Sequence, residues 1–337
     1  MTLYHRPIAQ TDAARPKGAL PLAGGPIWFD RVERIERNGP RAIMPAQELP
    51  DDVTERLIAP RADIAGLSMA RPQLMGVLNL TPDSFSDGGV FNAPDIAVER
   101  ARAITAEGAS ILDLGGESTR PGAETVPVDA EIERTVPIIR ALRDSGHEVP
   151  ISIDTRKAPV ARAALEAGAT ILNDVSAFSF DPDMARVAAQ TGAPICLMHA
   201  QGDPATMQDD PVYDDVLLDV YDFLQARLER ALAAGVDRSQ IILDPGIGFG
   251  KTVAHNLALI RGLSLFHGLG CPILLGVSRK RFIGTLADVP EASARAPGSV
   301  AVGLEGLRQG VQILRAHDIK EHRQAMLLWQ AILDNQQ

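Results

Sequence analysis

The sequence predicts an α/β fold, a (β/α)8 TIM barrel preceded by an N-terminal extension. From about residue 72 onward, short apolar runs rich in β-branched residues alternate with longer segments of helical period, in eight rounds. The apolar runs are nearly continuous, which is typical of parallel strands buried on both faces. Eight such units in about 265 residues match the count and length of a closed barrel. An open, doubly wound sheet is the structural alternative.

Eight strand candidates follow one another in this region. They are residues 73–80, 110–116, 149–155, 169–175, 193–199, 240–246, 272–278 and 311–317. Between them lie helix candidates such as 94–108, 158–168 and 214–235, whose apolar residues recur at spacings of three and four. Each of these three segments ends in glycine, the usual residue at a helix C-terminus.

Residues 1–71 do not join this alternation and are rich in proline and arginine. Within them, the apolar content of 25–44 and the turn signal Asn38-Gly39 predict a β-hairpin. We therefore divide the chain into an extension, 1–71, and a catalytic barrel domain, 72–337. We expect the extension to pack on the barrel across its N-terminal end, with disorder in residues 1–20 as the open alternative.

Composition limits the classes of function. The chain has 337 residues, 45% of them hydrophobic, and a formal net charge of -10, which disfavours general binding to nucleic acid or to an anionic membrane. No apolar run reaches the roughly 18 residues of a membrane-spanning helix. The two cysteines, Cys196 and Cys271, lie in or beside apolar runs, which argues against disulfides and cysteine metal clusters. We expect a soluble, cytoplasmic enzyme acting on small molecules, with no nucleic acid or membrane partner.

Polar side chains lie where each of the eight strand candidates ends and its loop begins. In barrels of this kind the carboxyl ends of the strands converge on one rim, where the chemistry takes place. A single Asp or Asn at a strand end more often caps a helix or a loop than binds a ligand. Eight polar strand ends on one rim instead predict a catalytic or ligand-binding site.

The acidic and amide residues of this rim suggest a flat ligand. Asp154, Asn173 and Asp244 lie at the ends of strand candidates three, four and six. Together they could face the edge of a nitrogen-rich ring such as a pterin or guanine, whose N–H and amine donors pair with carboxylates. Lys280 could supply the complementary donor to a ring nitrogen or carbonyl.

The basic residues suggest a phosphorylated end to the same ligand. Arg315 and His317 are two apart on strand eight and so share one face, and this part of a barrel commonly binds phosphate. Strand one becomes adjacent to strand eight when the barrel closes, and it ends with Asn79. A neutral oxygen ligand beside a phosphate suits Mg²⁺, which takes few protein ligands. We therefore expect Mg²⁺ as the cofactor, with Asn79 as its ligand.

Seven motifs follow one another along the chain. They are 75–89 (MGVLNLTPDSFSDGG), 112–123 (LDLGGESTRPGA), 151–155 (ISIDT), 195–202 (ICLMHAQG), 242–251 (ILDPGIGFGK), 276–280 (GVSRK) and 315–318 (RAHD). In this order they resemble the motifs of dihydropteroate synthase of bacterial folate synthesis. The resemblance covers essentially all of residues 72–330. It implies a homodimeric TIM-barrel transferase that joins 6-hydroxymethyl-7,8-dihydropterin diphosphate to p-aminobenzoate with Mg²⁺. The products would be 7,8-dihydropteroate and pyrophosphate.

The resemblance also implies a role for each matching position. The pterin pocket would comprise Asp154, Asn173, Met198, Asp244 and Lys280. The diphosphate and magnesium site would comprise Asn79, Arg315 and His317. The aminobenzoate site would comprise Thr119, Arg120, Pro121, Phe249, Ser278 and Lys280. Phe85 and Asp87 would lie on a mobile loop that closes over the site, and would be catalytic together with Lys280 and Arg315.

Two other functions remain open at this point. Lys280 could form an imine in an aldolase on the same fold, although such a site does not need the Asp-Asn-Asp set. The chain could also be a non-catalytic pterin-binding homologue, which would be expected to have lost Phe85, Asp87 or Arg315.

Three further residues receive structural interpretations. Asp113, inside strand two, should be paired within the barrel, in support of Arg315. His199 should be satisfied by its neighbours and bind no metal. Lys251 follows a glycine turn without the spacing of a phosphate-binding loop, and we expect it to be a surface lysine.

Overall fold

The computed structural model describes residues 3–80, 93–118, 125–202, 207 and 209–334. Its strands are β1 (Leu3–Pro7), β2 (Leu20–Pro21), β3 (Trp28–Phe29), β4 (Arg31–Glu36), β5 (Arg41–Pro45), β6 (Gln73–Asn79), β7 (Ile111–Gly115), β8 (Ile151–Asp154), β9 (Ile171–Asp174), β10 (Ile195–Met198), β11 (Ile241–Asp244), β12 (Leu274–Gly276) and β13 (Ile313–Ala316). Its α-helices are α1 (Asp51–Ile58), α2 (Ala93–Glu107), α3 (Val128–Asp144), α4 (Ala158–Glu166), α5 (Met184–Thr191), α6 (Val216–Ala233), α7 (Val253–Arg261), α8 (Arg281–Ala287), α9 (Ala296–Arg308) and α10 (Ile319–Asp334). Within these described ranges, no helix combines the length and apolar composition needed to cross a membrane.

Strands β6 to β13 form one parallel sheet in the order β11-β10-β9-β8-β7-β6-β13-β12. A parallel bridge between Leu243 and Ile273 joins its two ends, and the Leu243 amide donates a 2.9 Å hydrogen bond to the Pro272 carbonyl. The sheet therefore closes into a barrel, and the doubly wound alternative is wrong. All eight predicted strands are present.

Glycine ends several of the helices that surround the barrel. Gly108, Gly168 and Gly235 follow α2, α4 and α6 with φ of 116°, 111° and 93°, a left-handed conformation that costs other residues more than glycine. At its other end, α6 is capped by Asp215, whose carboxylate accepts hydrogen bonds from the amides of Leu217 and Leu218. The glycine stops predicted from the sequence are confirmed.

A plug from the extension closes the N-terminal end of the barrel. The side chains of Ile64 and Met69 are almost fully buried against an apolar layer from the barrel strands that includes Met75, Ile242 and Ile313. Full burial of a side chain of this size stabilises a fold by roughly 1.5–3 kcal/mol. The extension thus completes the core at the end of the barrel opposite the predicted rim.

The rest of the extension contains the predicted hairpin. Strands β4 and β5 pair antiparallel around Asn38-Gly39, Asn38 has a left-handed φ of 59°, and β1 pairs with the other edge of β4. This three-stranded sheet lies against α6, where Arg37 forms ion pairs of 2.6 Å with Asp219 and 2.7 Å with Asp222. Tyr4 donates its hydroxyl to Asp222 as well. The hairpin prediction is confirmed, and the boundary at residue 72 stays a prediction.

Candidate active site

Arg315 lies in the mouth of the barrel between two carboxylates. Its Nε donates a 2.6 Å hydrogen bond to Asp113, and its Nη2 donates a 2.9 Å hydrogen bond to Asp154. Burial lowers the pKa of Arg315 and the two carboxylates raise it, with the net shift upward. The guanidinium therefore stays charged and joins β13 to β7 and β8 across the barrel.

Asp113 organises the base of this site. Its side chain has no solvent exposure, and besides Arg315 it accepts hydrogen bonds from Nδ2 of Asn173, 3.2 Å and 3.4 Å from its two oxygens. Asp113 thus orients one residue of the predicted pterin edge and one of the predicted phosphate end. Its predicted pairing with Arg315 is confirmed.

Two other carboxylates of the mouth have strongly shifted pKa values. Burial raises the pKa of Asp154 to about 7, against the opposing effect of Arg315. Burial also raises the pKa of Asp244 to about 6, although a 2.7 Å hydrogen bond from the Gly246 amide and the charge of Lys280 act to lower it. Above its pKa, each of these two groups can accept hydrogen bonds from a ligand as a carboxylate. Perturbed carboxylates grouped in a cleft are typical of a functional site.

The loop after β11 brings Phe249 to Lys280. Nζ of Lys280 lies 3.9 Å from the centre of the Phe249 ring, within cation–π range. Gly248, the preceding residue, has a φ of 84°, and a Cβ there would come within 3.0 Å of the Lys280 side chain. The glycine therefore permits this contact.

Ser278 and His317 form the next part of the rim. The Ser278 hydroxyl oxygen accepts a 3.1 Å hydrogen bond from the His317 amide and lies 3.0 Å from Nδ1 of its ring. Behind them, Arg279 has a left-handed φ of 58°, and its guanidinium pairs with Asp318. The motifs GVSRK and RAHD, distant in sequence, are thus bonded to each other at two points.

Two further predicted residues, Met198 and Asn79, also lie at strand ends, and others fall outside the described ranges. Met198 ends β10 and is 3% exposed. Asn79 ends β6, pairs in register with Gly115 and is partly exposed. The remaining predictions, which fall on residues that the structure does not describe, are Phe85, Asp87, Thr119, Arg120 and Pro121.

The expected surface position of Lys251 is wrong. Lys251 is 3% exposed, and its Nζ makes hydrogen bonds with the carbonyls of Gly246 and Phe249 and with Nδ1 of His199. The contact with Lys251 confirms that His199 is satisfied by a neighbour. The sequence places Lys251 at the end of a glycine-rich turn, and only the folding of that turn reveals that it is buried.

A second buried charge cluster was missed. Glu117, at the start of the loop after β7, pairs with Arg156 and Lys157 after β8, and Lys157 also pairs with Glu131 on α3. The Val126 amide donates a 2.8 Å hydrogen bond to Glu117 across residues 119–124. The sequence did contain a signal for this cluster: Arg156 and Lys157 are adjacent cations just after Asp154, and Glu117 is an acid just after the neighbouring strand.

Fold and site together define a barrel enzyme with a buried acid–base cluster in its carboxyl-terminal mouth. A family model described as pterin binding enzyme matches residues 75–317. Dihydropteroate synthase of a Synechocystis species is 49% identical over 250 residues, which are 74% of this chain and 86% of that protein.

Solved structures agree with this match. The dihydropteroate synthase of Xanthomonas albilineans with 4-aminobenzoic acid aligns with a TM-score of 0.76 at 43% identity, over 81% of this chain and 98% of that one. The same enzyme in complex with 7,8-dihydropteroate aligns with a TM-score of 0.73 at 40% identity, with the same coverage. The chain therefore belongs to the dihydropteroate synthases, a family of pterin binding enzymes.

Proposed function

We propose that this protein is a transferase that condenses 6-hydroxymethyl-7,8-dihydropterin diphosphate with p-aminobenzoate to give 7,8-dihydropteroate and pyrophosphate. The observation that carries this function is the arrangement of the mouth, where Arg315 stands between Asp113 and Asp154 with Asn173 and Asp244 beside them. Carboxylates and an amide suit the donors of a pterin edge, and the cation suits its phosphorylated end. The relatives from Synechocystis and X. albilineans are named dihydropteroate synthases, which supports this proposal.

The pterin would lie on the acidic side of the mouth. Asp154 and Asp244 would accept hydrogen bonds from ring N–H and amine groups, and Asn173 would add its amide. Met198 would pack on the ring face, and Lys280 would donate to the ring. Removing water from this cleft strengthens each of these contacts.

The diphosphate would lie beside β13 and β6. Arg315 would donate hydrogen bonds to the diphosphate oxygens, and the ring of His317 would donate a hydrogen bond to one of them. Asn79 offers a neutral side-chain oxygen at the end of β6, next to this position. Asn79 would hold Mg²⁺, which takes few protein ligands. The described residues contain no group of three or more His, Cys, Asp or Glu suited to a metal.

The p-aminobenzoate would bind between the Phe249 loop and the loop that contains Thr119, Arg120 and Pro121. Phe249 would pack on its ring, and Ser278 would donate to its carboxylate. Lys280 lies against Phe249 and so would face both substrates. The X. albilineans relative solved with 4-aminobenzoic acid supports a site for this substrate in the family.

The chemical step would be a displacement at the pterin methylene with SN1 character. The C–O bond breaks with its electron pair leaving on pyrophosphate, the arylamine nitrogen forms the new C–N bond, and the amine then loses a proton. Arg315 would stabilise the charge on the leaving group, and Asp154 and Asp244 would stabilise positive charge on the ring. Magnesium, when bound, would neutralise further charge on the diphosphate. Phe85 and Asp87 would close over the site, exclude water and face the developing cation.

We also propose a homodimer in the cytoplasm. Helix α10 exposes Leu327, Leu328 and Ile332, at 52%, 62% and 77%, and grouped apolar side chains of this kind are typical of an interface. Both cysteines are free and buried, which suits a reducing compartment.

Pyrophosphate release tests the proposed activity. The purified protein is mixed with pterin diphosphate, p-aminobenzoate and Mg²⁺, and each component is omitted in turn. The proposal predicts release only from the complete mixture. No release from the complete mixture, with pterin binding intact by calorimetry, would favour the non-catalytic homologue.

A further inference from the structure

A buried lysine holds the turn that presents Phe249. Nζ of Lys251 lies 2.8 Å from the Gly246 carbonyl, 2.9 Å from the Phe249 carbonyl and 2.9 Å from Nδ1 of His199. Burial lowers the pKa of Lys251 well below its usual range, and the charge of Asp244 opposes this shift. In its protonated form the amino group has three donors and accepts no hydrogen bond. The three acceptors around Lys251 therefore match its three donors.

His199 is suited to be the third acceptor. It follows β10, is 5% exposed, and its ring packs edge-on against Phe223 at 4.7 Å. Burial, together with the charge of Lys251, holds the pKa of His199 well below its usual range. A neutral imidazole with its proton on Nε2 offers the lone pair of Nδ1 to the ammonium. Lys251 thus connects the turn after β11 to the end of β10.

The turn at residues 246–250 is rich in glycine, so its backbone would be flexible without the hydrogen bonds of Lys251. Gly246, Gly248 and Gly250 all have left-handed φ, of 66°, 84° and 59°. A Cβ on Gly246 would come within 1.8 Å of the His199 carbonyl oxygen, so only glycine allows the two backbones to approach. Glycine also loses the most conformational entropy when it is ordered, which makes fixed side-chain contacts more important to the shape of this turn.

The contacts of Lys251 lead directly to the position of Phe249. The Gly246 carbonyl accepts from Lys251 and also from the Phe249 amide, at 3.1 Å. The carbonyl of Phe249 itself is the second acceptor. Lys251 therefore holds both ends of the peptide segment whose side chain lies 3.9 Å from Nζ of Lys280.

We propose that Lys251, anchored by His199, is a positioning residue that holds the Phe249 ring against Lys280 and so shapes the p-aminobenzoate part of the site. This inference rests on the proposed function for its substrate. Lys251 itself is buried within the turn and would contact no substrate.

Steady-state kinetics of Lys251→Met provides the first test. Methionine retains an unbranched side chain of similar length and removes all three donors. The expected result is a rise of about tenfold in KM for p-aminobenzoate, with KM for pterin diphosphate within about twofold of wild type. As a control for lost stability, Ile64→Ala removes packing at the opposite end of the barrel and should change neither KM. Equal changes in both KM values of Lys251→Met would overturn the proposal.

A double-mutant cycle tests whether Lys251 acts through Phe249. If it does, Lys251→Met should lower kcat/KM for p-aminobenzoate by about tenfold in the wild-type background and by less than about threefold in a Phe249→Ala background. Additive effects would contradict the proposal. Substitution of the acceptor, His199→Phe, keeps an aromatic ring beside Phe223 and should shift KM for p-aminobenzoate in the same direction.

Hydrogen exchange gives a result that does not depend on turnover. Backbone amides of residues 246–250 should exchange faster in Lys251→Met than in wild type, whereas Ile64→Ala should leave their relative protection unchanged. Unchanged exchange in Lys251→Met would overturn the positioning role even in a protein without synthase activity. Absence of synthase activity in the wild-type protein would refute the proposed function but would leave the positioning role of Lys251 to be decided by hydrogen exchange.

Discussion

Arg315 donates a 2.6 Å hydrogen bond from Nε to Asp113, a carboxylate with no solvent exposure inside the barrel. The same guanidinium reaches Asp154, which we place at the pterin edge. One cation is thus shared between an acid that positions it and an acid that would bind substrate. Removing one member of a buried pair is strongly destabilising, because it leaves the other charge uncompensated.

Asp113→Asn should weaken pyrophosphate binding by about tenfold, because Arg315 loses the charged partner that fixes its orientation. Calorimetry with pyrophosphate and Mg²⁺ measures this change. Asp237→Asn, at an exposed position outside every motif, is the control and should bind as wild type does. Wild-type affinity in Asp113→Asn would show that Arg315 needs no support from Asp113.

Arg315→Ala should weaken pyrophosphate binding by about 2 kcal/mol or more, since a charged donor to the diphosphate is removed. The exposed Arg308, on α9, provides a matched control as Arg308→Ala. The same calorimetric titration applies to both variants. Unchanged binding in Arg315→Ala would remove this residue from the diphosphate site.

Asp154 should give pterin binding a pH dependence. Its pKa in the folded protein is about 7, raised by burial from 3.8, and the protonated acid would present a donor to the donors of the ring. Pterin affinity should therefore rise as pH increases from about 6 to 8, by at most tenfold per unit. Asp154→Asn should bind more weakly and lose this part of the dependence. Equal pterin affinity in wild type and Asp154→Asn would exclude Asp154 from the pocket.

The raised pKa of Asp154 makes the stability of the fold change with pH in the opposite direction to pterin affinity. Between about pH 4 and 7 the folded protein keeps a proton on Asp154 that the unfolded chain has lost, so the free energy of unfolding falls as pH rises through this window. Denaturant titrations at several pH values should show a smaller fall in Asp154→Asn. A steeper fall in the variant would mean that the sign of the pKa shift is wrong.

Phe85→Ala and Asp87→Ala should slow the chemical step and leave pterin binding intact, because both residues are assigned to loop closure over bound substrate. Stopped-flow measurement of product formation and calorimetry of pterin binding separate the two effects. A matched loss of pterin affinity in either variant would place that residue in the pterin pocket.

Ile64→Ala should lower the free energy of unfolding by about 2–5 kcal/mol, since Ile64 is fully buried in the layer that closes the barrel. Chemical denaturation measures the loss. Leu3→Ala, at an exposed position of β1, should cost far less. A small effect of Ile64→Ala would show that the extension packs weakly on the barrel.

Periodicity and residue order were sufficient to predict the barrel and its rim. Apolar runs that end in polar residues mark the strand ends. Closure of the barrel then brings Arg315 to Asp113 and Asp154, and this does not depend on the conformation of the loops. Lys251 could not be predicted in the same way, because two of its acceptors are backbone carbonyls in a turn with left-handed glycines. For the plug formed by Ile64 and Met69, the sequence predicted only that the extension packs at the N-terminal end of the barrel. The contacting residues could not be predicted, since they come from strands spread along the whole barrel.

The ratio of the two products tests the central claim most directly. Dihydropteroate is quantified by mass spectrometry and pyrophosphate by a coupled assay, in the same reaction of the protein with both substrates and Mg²⁺. A condensing transferase predicts equal molar amounts of the two, both absent without p-aminobenzoate. Pyrophosphate without dihydropteroate would indicate a hydrolase, and neither product a binding protein; either result would contradict the assignment.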